Sequence, residues 1–143
     1  MIRPAKATDI KQIVELIQPY IKDFALNAEG EAKFSQDMIK KLLEMQSIEY
    51  FVFEKDLSII GVIAYKQPSH LIHFFVNQNS QQQGIGRQLW MFLEDKLSQQ
   101  HSKITVNSSC YAQPVYENFG FTVTSTMIEN GGLRYIPMCK RYA

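Results

Sequence analysis

Neither sign of charge dominates this sequence: 15 lysines and arginines stand against 14 aspartates and glutamates, a formal net charge of +1 over 143 residues. A near-neutral chain has no extended positive field with which to capture nucleic acid by counterion release, so nucleic acid is not an expected partner. Cysteine is scarce too. Cys110 and Cys139 can supply neither a disulfide framework nor a four-thiolate zinc site, so reduced thiols and no metal are expected. No apolar run approaches the roughly 18 to 20 residues that span a bilayer. The opening Met1-Ile2-Arg3-Pro4-Ala5-Lys6 lacks the apolar centre of a signal peptide, so a cytoplasmic location with no membrane partner is expected. Without repeats, linkers or low-complexity tracts, residues 1–143 are expected to form one domain.

The segments that are present have clear periods. Ile10, Ile13, Val14 and Ile17 follow a capping Thr8 or Asp9 at helical spacing, predicting a helix to about Pro19. Residues 21–34 are polar and broken by Asn27 and Gly30, predicting a loop or irregular helix; Ser35 then caps a helix with the stripe Met38, Ile39, Leu42, Leu43. From Ile48 the period becomes two, giving a hairpin about Lys55-Asp56 that runs to Tyr65 and then a third strand from His70 to Val76. Gly84 to about Gln100 is the strongest helix, with Leu89, Trp90, Phe92, Leu93 and Leu97 on a wide apolar face. A short strand at 103–107, a short helix at 111–119 closed by Gly120, and a final hairpin of 121–127 and 133–139 about Asn130-Gly131 complete the chain.

The predicted class is therefore α/β in the α+β sense, a mixed, mostly antiparallel central sheet of about seven strands with about four helices. The strand, helix, strand passage across residues 70–107 predicts one parallel pair inside it. At that pair the helix start at Gly84 offers about four N–H groups without intrahelical partners and a partial positive charge. Glycines at 84 and 86 leave those donors uncovered, which suits a pyrophosphate. Two other phosphate motifs fail on register: the dinucleotide fingerprint needs a third glycine where Leu89 stands, and the P-loop needs Gly-Lys-Ser/Thr.

Gln81, Gly84 and Gly86, with Arg87 following, resemble the pyrophosphate signature of the GNAT superfamily of acyl-CoA N-acyltransferases. The opening Ile2-Arg3-Pro4-Ala5 with Asp9, the strand end Phe74-Phe75-Val76, and Val106-Asn107-Ser108-Ser109 through Ala112, Pro114-Val115-Tyr116-Glu117 and Gly120-Phe121 resemble that family in the same order. The resemblance implies that the parallel strands splay at their C-terminal ends with helices on both faces. It implies that Phe75 and Val76 bond the pantetheine arm of acetyl-CoA through their main chain. Gln81, Gln82, Gln83, Gly84, Ile85, Gly86 and Arg87 would hold the pyrophosphate, and Asn107 would touch the arm from the other strand.

Aminolysis of a thioester needs a neutral amine, a stabilised oxyanion and a proton for the departing thiolate. A phenol, with a pKa near 10 against about 8.5 for a thiol, can hydrogen-bond that thiolate without being lost as an anion. Tyr116, at the position resembling the family's general acid, is the candidate; otherwise it is an amphipathic core tyrosine. For the base, His70 and His73 titrate in the useful range. Alternation puts His70 on the face of Phe74 and Val76 and His73 on the other, and some relatives carry a histidine near this place, so His70 is the candidate, with water or a structural role as alternatives. Asp23, Glu29, Glu31 and Glu129, in the segments that line the family's acceptor side, are candidates for attracting a cationic amine of a small molecule or protein. The C-terminal strand Leu133 to Cys139, if it forms a sheet edge, would offer a route to a homodimer. A non-catalytic acyl-CoA-binding module is the competing reading, and Tyr116 counts against it.

Overall fold

The computed structural model describes residues 1–143. Its strands are β1 (Ile2–Pro4), β2 (Ile48–Lys55), β3 (Ser58–Lys66), β4 (His70–Val76), β5 (Lys103–Ser108), β6 (Thr122–Val123), β7 (Ile128–Asn130) and β8 (Leu133–Arg141). Its α-helices are α1 (Ile10–Ile17), α2 (Ala28–Ala32), α3 (Gln36–Glu44), α4 (Ile85–Ser98) and α5 (Gln113–Asn118). The sheet order is β1-β2-β3-β4-β5-β8-β6, with β7 also on β8, and every pairing is antiparallel except β4 with β5. This is the mixed sheet expected, and it matches the predicted class. No helix is long and apolar enough to cross a membrane.

Each face of the sheet carries its own core. On one face α4 and α5 bury Leu89, Trp90, Leu93, Leu97 and Tyr116 against Phe51, Ile63, Leu71, Ile104 and Val106 in a cluster of 15 residues. On the other, α1 and α3 bury Ile13, Ile17 and Ile39 against Tyr50, Val52, Val62 and Phe75 in a cluster of 12. A fully buried Leu or Ile contributes about 1.5–3 kcal/mol relative to an exposed one, so the helices that frame the site are held mainly by these stripes. Gly61 sets how closely α4 approaches: a Cβ there would stand 2.8 Å from Leu89 Cδ1 and 3.2 Å from Ile85 Cγ2.

The residues ahead of α1 are tied down by charge. Arg3 forks onto both Asp9 oxygens at 2.8 and 3.0 Å and reaches Glu54 at 2.7 Å, while Asp9 accepts the Lys6 N–H at 2.7 Å. The Arg3 guanidinium holds the Asp9 carboxyl below its ordinary pKa. Asp9 therefore acts as an anchor inside a 3₁₀ turn, Ala7–Asp9, rather than as a simple helix cap.

The polar stretch after α1 is irregular helix, as expected: a 3₁₀ helix, Gln18–Asp23, is followed by the short α2, which Asn27 caps through Gly30 N–H. The C-terminal segment departs from expectation. The final hairpin has a broken outer strand: β7 pairs with Leu133–Tyr135 about Gly131-Gly132, and only Thr122 and Val123 continue on Cys139 and Met138. Leu133–Cys139 is consequently no free edge, because β8 lies between β5 and the pair β6 and β7; the route to a homodimer through that edge is lost.

Candidate active site

β4 and β5 pair only at His70 with Thr105 and Leu71 with Val106, after which the strands part. A bulge drives the parting. β3 residues Ala64 and Tyr65 face His73 and Leu71, leaving Ile72 as an extra residue, and the bulged strand bends there. The bulge also resets alternation. Leu71, Phe74 and Val76 pack on the α4 face, whereas Ile72, His73 and Phe75 all face the α1 side. His70, adjacent to Leu71 and opposite it in the pleat, is thus on the other face from Phe74 and Val76, contrary to the expectation from simple alternation.

The gap is a cavity of about 730 Å³ that passes through the sheet. Ile85, Tyr116 and Phe119 line it from the α4 face, and Tyr20, Phe24 and Ile72 from the α1 face. Of the cofactor residues expected, Phe75, Val76, Gln81, Gln82, Gly84, Ile85, Gly86, Arg87 and Asn107 line this cavity together; Gln83 does not. The turn into α4 uses left-handed backbone at Gln82 (φ 66°) and Gly84 (φ 79°). A Cβ on Gly84 would meet nothing nearer than Gln88 Nε2 at 4.0 Å, so glycine there serves the turn and an uncovered surface, not tight packing. At Gly86 a Cβ would make ordinary contacts with Val76 and Phe74.

Tyr116 is buried against Phe74 and Phe121, with ring centroids 6.1 and 5.4 Å away, and burial pushes its phenol pKa up. Its side chain makes no hydrogen bond, yet no polar side-chain atom in the protein is both enclosed and unpartnered. Its hydroxyl therefore ends at the open cavity. Ser109 accepts the Ala112 N–H at 3.1 Å and so starts the turn that delivers α5 and Tyr116.

The histidines are elsewhere. His70 Nδ1 pairs with Thr105 Oγ1 at 2.7 Å at the closed end of the parallel pair and lies outside the cavity lining; burial lowers its pKa, and the Lys66 charge adds to this. The candidate base is thus not brought to the site, because the strands open at their C-terminal ends while His70 begins β4. His73 is deep in the α1-side core, 2.8 Å from the Tyr50 hydroxyl and stacked on Phe34, and burial pulls its pKa down to about 4. Asp23 lines the cavity; Glu29, Glu31 and Glu129 do not.

Tyr20 was not among the sequence candidates. The Asn77 N–H bonds Ile60 of β3, so in a trans peptide the Val76 carbonyl points the other way, into the gap. There it accepts the Tyr20 hydroxyl at 2.6 Å, and Gln81 Nε2 donates to the same hydroxyl at 2.5 Å. The Val76 carbonyl expected to bond the arm is therefore already partnered on one side. The contact spans 56 residues of chain, and no local pattern signals it.

A family model described as acetyltransferase (GNAT) domain matches residues 22–142. The chain belongs to the GNAT acetyltransferase family. Solved GNAT-fold structures overlay nearly the whole of it. The PaiA N-acetyltransferase of Thermoplasma acidophilum, solved with coenzyme A, is 17% identical with a TM-score of 0.78, covering 99% of this chain and 98% of that one. Ard1 of Thermoplasma volcanium is 17% identical at a TM-score of 0.78, covering 100% and 97%. An aminoglycoside 6'-N-acetyltransferase complexed with coenzyme A is 12% identical at 0.73, covering 99% and 96%. No curated protein sequence matches the chain. In this member of the GNAT family the parted ends of β4 and β5 and the start of α4 open onto one cavity.

Proposed function

We propose that this chain, as one domain over residues 1–143, transfers an acetyl group from acetyl-CoA to a primary amine by direct attack in a ternary complex. The observation that carries the proposal is the cavity itself, which brings a strand edge without a β5 partner, an uncovered helix start and the Tyr116 hydroxyl to one opening. The residues present fit coenzyme A: a diamide arm matches a strand edge, and a diphosphate matches the N–H groups from Gly84 to Arg87. Acetyl-CoA supplies an activated thioester. The neighbouring structures solved with coenzyme A support that choice.

In this assignment the main chain of Val76 aligns the arm, while that of Phe75, one residue back in the pleat, turns to β3, and the α4 start holds the diphosphate with the Arg87 charge beside it. Asn107 contacts the arm from β5. Tyr116 donates a hydrogen bond to sulfur as the C–S bond breaks and the C–N bond forms, and burial keeps the phenol protonated throughout the neutral range. An ammonium and a thioester give an amide, a thiol and one released proton. No histidine lines the cavity, so water at its mouth carries the amine's proton away.

Thiol release from acetyl-CoA across an amine panel tests the assignment. Tyr116→Phe is expected to lower turnover about 100-fold while coenzyme A affinity, read by calorimetry, stays unchanged. Coenzyme A uptake with no thiol release from any amine, in folded wild-type protein, would instead indicate a binding module.

A further inference from the structure

The α1-side half of the cavity differs chemically from the α4 side. Its wall is apolar and aromatic: Tyr20 and Phe24 both pack on Phe75, with centroids 5.5 and 6.2 Å away, and Ile72 continues the surface. Among all the residues that line the cavity, Asp23 is the only acid. Asp23 is half-buried and makes no hydrogen bond or ion pair within the protein, and its charge reaches the Tyr20 phenol, adding to the effect of burial that raises that group's pKa. Its chain neighbour Lys22 also lines the cavity and is likewise without an ion-pair partner.

We infer that this half of the cavity accepts a primary monoamine on an apolar, preferably aromatic, body, with Asp23 as the single anionic contact for its ammonium. The inference rests on the acetyltransferase reading above and narrows its acceptor. A partly buried carboxylate without a partner is free to pair with a cation, and aromatic rings add attraction for both an ammonium and an apolar body. A polycation fits poorly. Its second ammonium meets Lys22 rather than a second acid, since Glu29, Glu31 and Glu129 lie away from the cavity. The same sparse charge disfavours an amino sugar, whose hydroxyl groups would be desolvated against Phe24 and Ile72 without partners.

The experiment uses the full chain and compares initial rates of thiol release with 2-phenylethylamine, spermidine and kanamycin, alongside calorimetry with coenzyme A. The expected kcat/KM for 2-phenylethylamine exceeds that for either polycation by at least about tenfold. Asp23→Asn, which removes no bond internal to the protein, is expected to raise the KM for 2-phenylethylamine about tenfold, with kcat within about twofold and coenzyme A affinity unchanged. Asp23→Glu is expected to retain the preference. Faster turnover of spermidine or kanamycin, no turnover of 2-phenylethylamine by protein that binds coenzyme A, or an unchanged KM in Asp23→Asn would overturn the inference alone. Failure to bind coenzyme A would overturn the reading beneath it.

Discussion

Along β4, His70 and Leu71 lie beside Thr105 and Val106 of β5, whereas Phe74, Phe75 and Val76 have β3 on one side and the cavity on the other. The two halves belong to one seven-residue strand and differ through the single extra residue at Ile72. In the closed half, polar side chains are satisfied by neighbours: Ser69 Oγ donates to the Lys103 carbonyl at 2.7 Å, and His70 meets Thr105. In the open half, main-chain groups face space, and Tyr20 comes from another element to meet one of them. A strand end becomes a binding edge when its partner is withdrawn, and the bulge withdraws it without loosening the core on either face.

The comparison breaks most severely at the helix start beside the open half. Gly84→Val places a β-branched residue at a φ of 79° and covers the N–H groups with its side chain. Coenzyme A is expected to bind at least about 100-fold more weakly, while circular dichroism and melting behaviour show a folded protein.

His73, in the strand's middle, tests whether its inner side is core rather than site. The imidazole is neutral inside the protein, with its pKa pulled from 6.5 down to about 4 by burial. The unfolded chain takes up this proton below pH 6.5, so the contribution to stability is whole above that pH and is lost as pH falls toward 4. The loss is on the order of 3 kcal/mol over the window, read as a falling urea midpoint. His73→Leu combined with Tyr50→Phe is expected to flatten that part of the profile, whatever its stability at neutral pH.

Tyr20→Phe keeps the ring on Phe75 but frees the Val76 carbonyl and the Gln81 amide. The cost falls on folding, about 0.5–1.5 kcal/mol for the lost hydrogen bond, read as a lower urea midpoint, while coenzyme A, which can take up the freed Val76 carbonyl, is expected to bind no more weakly. At the closed end, His70→Ala is expected to change kcat by less than about threefold. A loss approaching that of Tyr116→Phe would return His70 to the chemistry and contradict its placement away from the cavity.

What was legible in the sequence is what local chemistry encodes. The glycine pair ahead of the Leu89 and Trp90 stripe, the Ser35 cap and the alternation of β2 each depend on residues within a turn or strand of one another. The glycine pair marks the helix start, whereas Phe75, Val76 and Asn107 are candidates only through the resemblance to the GNAT superfamily. The bulge was not legible, since Ile72 is extra only by reference to how Ala64 and Tyr65 pair across from it, and a one-residue slip reverses every side chain before it. The same limit hid Tyr20, whose partners are Val76 and Gln81, and the interior position of β8, which depends on where β6 and β7 return. Gly61 of β3, which leaves room for Leu89 and Ile85 of α4, is likewise a contact between distant segments with no local signal.

The most direct test is a nitrogen-edited NMR titration of the amide resonances with coenzyme A. Binding at the opened half predicts shifts concentrated at Phe75, Val76 and Gly84 to Arg87, with Thr105 and the amides of His70 and Leu71 nearly still. Shifts centred on the His70 end of β4, or none at saturating coenzyme A, would contradict it.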